Sequence, residues 1–163
     1  MKEILVQYAS YNYWANQQIT AVLQKLEEEE ADKDLGGSFS TLRKLILHVW
    51  LTDSTWFQRL QLAEKPVDVT AGFNGSFADA CKAWLKQSLQ LQEWVKQATP
   101  ARLAHTVAFT RAKSEHHKME AQHIVMHVCN HSSFHRGQLV HMLRQLGVNK
   151  IPGTDYSSFI IKK

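Results

Sequence analysis

His131 and His135 stand four residues apart near the C-terminal end of the chain, and His48 lies far upstream. Residues four apart on a helix point within about 40° of each other, one turn apart along the axis, so two such imidazoles can aim ring nitrogens at one point. Histidines at this spacing fill two corners of the coordination shell in helix-borne zinc sites. Ser132 follows His131, so the glutamate of an H-E-x-x-H metalloprotease is missing and that chemistry is excluded. His123 with His127, and His127 with His131, share the spacing. Helical geometry alone therefore leaves the pair open.

A third ligand has to come from another element, and His48 flanks the stripe Leu45, Val49, Thr52, Trp56, which places it toward a helical interior. Burying imidazoles without partners costs about 1–3 kcal/mol per polar group, a penalty that coordination of a divalent metal ion removes. A single core histidine is more commonly just hydrogen-bonded, and i, i+4 pairs also arise on exposed faces. Three histidines with an open position suit a catalytic site, since closed structural zinc sites use four protein ligands, usually with cysteine. Zinc and nickel fit such a donor set best. Iron, cobalt, manganese and copper are further candidates, and the sequence does not select among them.

Other polar residues carry weaker signals. Asp53, five residues after His48, could face the site as a base or as an acceptor behind a ligand, or lie on the surface. Asn130 and Arg136 could contact an anion near the site or simply be solvated. Cys129 lies about 200° around the helix from His131 and should point away into packing. Trp14, Trp50, Trp56, Trp84 and Trp94 fit apolar stripes or their edges.

The elements that must position these residues are helices. Ile4, Tyr8, Tyr11, Ala15, Ile19, Val22 and Leu26 recur at steps of three and four and predict a first helix. Gly36 and Gly37 break the chain; Ser38 or Ser40 is the expected cap of a second helix, through Leu42, Leu45, Val49, Trp56 and Leu60 to about Leu62. The segment from Ala63 to Gly75 is long for a hairpin and predicts a crossover. Ser76 and Asp79 form a capping-box pattern for a third helix that stops at Pro100. Thr106 to Thr110 is β-prone and is followed by the polar Arg111 to Ser114, which fits a short β-ribbon or loop. A last helix runs from near Glu120 to Leu146, with Gly147 as its stop, and the tail around Pro152, Gly153 and Asp155 reads as irregular. On that last helix Ile124, His127, His131, His135, Gln138 and Met142 trace an inward seam with a polar middle.

The composition agrees with one all-α domain over residues 1–163, a four-helix up-down bundle. The chain of 163 residues is 44% hydrophobic, enough for one core and short for two. A net charge of +4 from interspersed side chains gives no basic run, so nucleic acid is disfavoured as a partner. The acidic run Glu27 to Glu30 reads as a solvated helix end. Two distant cysteines suit a reducing cytoplasm, and the absence of a leader pattern or a long apolar run predicts a cytoplasmic protein without membrane contact. Nine histidines, most of them between His117 and His141, are the anomaly.

Three passages resemble the DinB family, within the DinB/YfiT-like superfamily. Tyr11-Asn12-Tyr13-Trp14-Ala15-Asn16 is similar to that family's Y-N-x-W-A-N signature, and Leu47-His48-Val49 matches in the second helix. His127 through Gln138 is similar to its H-x-x-N-H-x-x-x-H-R-G-Q segment. The resemblance implies an up-down bundle with a crossover, a metal held by His48, His131 and His135, His127 as a neighbour of the site, and homodimers. It also implies, through the superfamily, a metal-dependent transferase or hydrolase using a low-molecular-weight thiol such as bacillithiol, mycothiol or glutathione. A non-catalytic metal-sensing or stress-response role is the alternative, and the family name carries an association with DNA-damage induction.

Overall fold

Apolar residues at helical steps make four long segments amphipathic, and burying those stripes against one another assembles the fold. In the computed structural model, which describes residues 1–110 and 115–161, the long helices are α1 (Lys2–Leu23), α3 (Leu42–Leu60), α4 (Phe77–Gln97) and α6 (Ala121–Gln145). Short helices α2 (Glu28–Ala31), α5 (Pro100–Ala104) and α7 (Tyr156–Ile161) accompany them, with strands β1 (Thr106–Thr110) and β2 (His116–Glu120). The strands form an antiparallel pair with Val107 opposite Met119, so the expected ribbon before the last long helix is present. The expectation for Arg111 to Ser114 lies outside the described residues.

Around the bundle the order is α1, α4, α3, α6, with α6 closing onto α1. Cross-helix contacts set the directions. Asn16 meets Ser88 and Ser10 meets Gln92, so α1 and α4 are antiparallel. Tyr8 lies by Cys129 and Asn16 by Arg136, so α1 and α6 are parallel. Arg43 lies over Phe77 and Asp53 meets Trp84, so α3 and α4 are parallel too. Parallel neighbours consecutive in sequence need a connection that returns along the whole bundle, and residues 61–76 supply the expected crossover. Gln58 fastens it by accepting from the Val67 N–H at 2.7 Å and donating to the Val67 carbonyl at 3.0 Å, and Phe73 then packs edge-on to Trp50 at 5.3 Å.

The core has two apolar ends. One contains Leu5, Trp56, Leu91 and Val128, the other Ile19, Leu45, Trp84 and Leu139. Along every long helix the residues between these clusters are polar and buried: Asn12 and Asn16, Asp53 and Ser54, Gln87 and Ser88, Ser132 and Arg136. Bonds within the layer offset much of the cost of burying it: Asn16 to Ser88, Ser132 to Asp53, and Arg136 to Asn12 and Asn16.

Local details depart from the sequence expectations for physical reasons. Thr41, rather than Ser38 or Ser40, caps α3, its hydroxyl accepting from the Lys44 N–H at 3.1 Å. The capping box of Ser76 and Asp79 forms as expected, and Gly147 takes φ +83° to close α6. Ile4 is 63% exposed while Leu5 and Ala9 are buried, because the inward face of α1 continues through polar Asn12, Asn16 and Thr20, which an apolar-only pattern passes over. The acidic run is more than a solvated end: Glu27 caps α2, and Glu28 accepts from the Phe77 N–H and pairs with Arg43, joining α2 to the starts of α3 and α4. The tail is irregular around Pro152, Gly153 and Asp155, as expected, and then forms the short helix α7. Tyr156 meets Tyr11 edge-on at 5.1 Å, Phe159 packs on Trp14 at 5.6 Å, and the Tyr11 hydroxyl donates to the Thr154 carbonyl at 2.8 Å. Among the described residues no helix is long and apolar enough to cross a membrane.

Candidate metal centre

His48 follows the core-facing Leu45 on α3, and His131 and His135 lie one turn apart on α6, which runs antiparallel to α3. The structure brings these three together: one ligating atom from each lies within 4.8 Å of the other two. Ring centroids are 5.5 Å apart for His48 and His131, 5.0 Å for His48 and His135, and 4.3 Å for His131 and His135. Phe39, on the loop before α3, covers the rings of His48 at 4.6 Å and His135 at 5.7 Å. His135 is only 4% exposed.

Hydrogen bonding fixes what the nitrogens can do. Gln138 Oε1 lies 2.6 Å from His135 Nδ1. An amide oxygen can only accept, so Nδ1 carries the proton and Nε2 presents a lone pair. That lone pair faces His131 Nε2 at 3.0 Å. On its other side, His131 Nδ1 lies 3.8 Å from Asp53 Oδ1. The donor set therefore fits a divalent cation: neutral imidazoles on two facing helices, with ring nitrogens converging.

Burial, followed by the neighbouring His131, pushes the His48 imidazole below its ordinary value of 6.5, and burial foremost does the same for His135. Both are neutral at pH 7 and free to ligate. The same shifts make the fold sensitive to acid. Unfolded histidines take up protons near pH 6.5 while these two resist in the native state, so the unfolded chain binds more protons there and gains stability. Metal-free protein should keep a flat melting temperature above about pH 7 and lose stability as the pH falls from about 6.5 through the lowered native values. The variant His48→Gln/His135→Gln should show a shallower fall in a melting series from pH 8 to 5.

The remaining candidates are sorted by burial. His127 lies beside the group, its ring 6.0 Å from His131 and 4.9 Å from Trp56, and His123 is exposed. Asn130 is exposed. Arg136 is not solvated: it is 2% exposed, and its guanidinium donates to Asn12 Oδ1 and Asn16 Oδ1, both at 2.7 Å, and to Ser133 Oγ at 2.7 Å. Cys129 is buried away from the group, and burial pushes its thiol, like that of Cys81, up to about 12. Neither is a nucleophile at neutral pH. Gln138 was legible only as part of the seam; its position three residues after His135 is the signal that marks it as the partner of that ring. A cleft of about 300 Å³ opens beside the group, lined by Gly36, Gly37, Phe39, Gln138, His141 and Met142 among others, with no Lys, Arg, Asp or Glu in its lining.

Fold and site together define a bundle protein whose divalent-cation donors would come from an i, i+4 histidine pair on one helix and a third histidine on the antiparallel helix facing it. Comparison with known proteins narrows the class. The DinB family profile matches residues 1–162, and the chain belongs to that family. It is 27% identical over 175 residues to Protein DinB of Bacillus subtilis strain 168, an alignment covering 98% of this chain and 95% of the relative. Among solved structures it is similar to a DinB-like protein from Bacillus cereus, with a TM-score of 0.73 at 20% identity, covering 93% of this chain and 95% of the other. A DinB-like protein from Bacillus subtilis superposes with a TM-score of 0.69 at 12% identity, covering 91% and 98%. At these identities the structures support the fold alone.

Proposed function

We propose that the protein is a metal-dependent enzyme that holds one divalent ion, zinc or nickel foremost, between His48, His131 and His135, and acts on a small molecule with a low-molecular-weight thiol as co-substrate. The observation that carries this reading is the convergence of neutral ring nitrogens, with the bare Nε2 of His135 3.0 Å from Nε2 of His131. Two lone pairs at that distance repel unless a proton or a cation lies between them. The ion would supply Lewis acidity, which brings the pKa of a water or thiol down toward neutral pH.

The chain's own residues would do the rest. His135 is locked in a ligating tautomer by Gln138, and Phe39 shields the rings from bulk water. The adjoining cleft is at the lower end of the size range for small-molecule sites. Because both cysteines are buried with thiols held protonated, thiol chemistry would need a thiol from solution. Conjugation assays with bacillithiol, mycothiol and glutathione, run with and without chelator, test the reading. Turnover that needs the metal and is lost in His48→Ala supports it, and turnover indifferent to that substitution rules the mechanism out.

A second reading is a metal-responsive protein without turnover, and one observation favours it. The nearest carboxylate, Asp53, is engaged by Trp84 and Ser132 on one oxygen and faces His131 with the other, so it is not available as a general base. A large effect of metal on melting temperature, with no reaction across the thiol panel, would select this reading. In either case we propose a homodimer, supported by apolar side chains left exposed on the adjacent helices α1 and α6: Ile4, Met126 and Phe134. Light scattering should give about twice the 18.7 kDa chain mass; the mass of one chain counts against it.

A further inference from the structure

The cleft beside the three histidines lies between the loop 35–40 and α6, with Leu45 of α3 in its floor. The Leu35 N–H donates to the Ser40 carbonyl at 2.7 Å and closes that loop at its base. Gly36 and Gly37 form a rim in the left-handed region, at φ +74° and +78°, which glycine adopts without strain. The floor is apolar: Leu45 is fully buried, Met142 is 6% exposed and Leu35 is half-buried. At the mouth stand Ser38, His141 and Gln145, all exposed. Phe39 and Gln138 line the cleft and also touch the histidines, Phe39 over the rings of His48 and His135 and Gln138 at His135 Nδ1. Cleft and metal centre therefore share a wall.

The lining decides what can sit there. An ion taken out of water needs a partner of opposite charge, and no Lys, Arg, Asp or Glu lines the cleft. His141, the ionisable side chain of the lining, stands at the mouth in reach of water. The volume of about 300 Å³ is roughly twice that of a cavity that takes up benzene, which leaves room for a bicyclic body.

We propose that this cleft binds the small-molecule substrate, and that this substrate is an uncharged molecule of bicyclic size. Its apolar body packs on Leu45 and Met142, and a neutral hydrogen-bonding group points out toward Ser38, His141 and Gln145. The assignment rests on the metal-site reading for its chemistry, while occupancy of the cleft is measurable on the metal-free protein. It also separates the two reactants. Glutathione and bacillithiol carry carboxylates, so they would reach the metal from outside the cleft. Phe39 is then the side chain that stands between a molecule in the cleft and the ligand rings.

The experiment uses full-length protein with ¹⁵N-labelled backbone and labelled methionine methyls at pH 8. Its probes are 2-naphthalenemethanol, which is uncharged, and 2-naphthoate, the same body with a carboxylate. The alcohol should shift the Gly36 and Gly37 amides and the Met142 methyl in a saturable way. Naphthoate should bind there about tenfold or more weakly, and glutathione should leave these signals in place. Gln145→Trp, which sets a bulky ring at the exposed mouth, should weaken the alcohol by about tenfold or more and take up zinc as wild type does. With cobalt in the site in place of zinc, the ring protons of the bound alcohol should relax faster, because cleft and ion share the Phe39 wall. An alcohol that shifts none of these signals, a naphthoate that binds as tightly, or equal relaxation with cobalt and zinc overturns the proposal. So does a folded Gln145→Trp that binds the alcohol as wild type does; if that variant does not fold, the wild-type titrations decide. Wild type that takes up neither zinc nor cobalt refutes the metal-site reading alone, and the two naphthalene titrations still judge whether the cleft selects an uncharged molecule.

Discussion

Replacing Arg136 with alanine is expected to destabilise the fold by about 3–5 kcal/mol, near the cost of breaking a buried ion pair. The guanidinium is the hub of the polar layer: it bridges α6 to Asn12 and Asn16 of α1 and lies 5.4 Å from the Tyr11 ring centroid, while Tyr11 itself bonds the tail at Thr154. Removing it leaves two amide oxygens, each the acceptor of a charge-assisted bond, buried without that donor, at about 1–3 kcal/mol apiece. The lost packing of the arginine stem adds to this. For a chain of this size the melting temperature should drop by roughly 10 °C. Arg136→Lys should recover little, because a single ammonium cannot reproduce a planar fork reaching several acceptors. Thermal and urea denaturation measure both; a change below about 0.5 kcal/mol in Arg136→Ala would show that the layer does not depend on this residue.

The second large effect belongs to the metal-site reading. His135→Ala should weaken divalent-metal binding by about 10²–10³-fold, since structural zinc sites gain about 10–16 kcal/mol from four ligands, or about 3–4 kcal/mol per ligand. Because the ion would tie α3 to α6, it should also stabilise the native state. Ligand at a thousand times its dissociation constant adds about 4 kcal/mol, which for this chain length is a rise of roughly 8–16 °C. Wild type should lose that increment on chelation, and His135→Ala should show none to lose. Equal chelator effects in the two proteins would mean that the stabilising ion, if any, binds elsewhere.

How much of this was legible in the sequence depends on the kind of signal. Helical periodicity is a property of the chain itself, so the four long helices, the Ser76 cap and the Gly147 stop follow from local pattern. The crossover was legible because the segment from Ala63 to Gly75 is too long for a hairpin. The triad was legible only in part: spacing offered several histidine pairs on α6, and the resemblance to DinB proteins singled out His131 and His135, which the structure brings beside His48. The polar layer was not legible. Asn12, Asn16 and Arg136 have side chains that read as surface residues one at a time, Asp53 reads equally as facing the site or the surface, and the burial of Arg136 depends on partners 120 or more residues away. For the same reason Ile4 was assigned to the inner face of α1, although Tyr11, Ala15 and Ile19 of the same stripe are buried, and the short helix after the irregular stretch 148–155 was not anticipated, since its aromatic contacts with Tyr11 and Trp14 are long-range.

The central claim is that His48, His131 and His135 form one divalent-metal site, and elemental analysis tests it most directly. Wild type, purified without chelator or reconstituted with zinc or nickel and desalted, should carry about one ion per chain, and His131→Ala treated identically should carry close to none. A metal-free wild type after reconstitution, or equal metal in the two proteins, would contradict the claim.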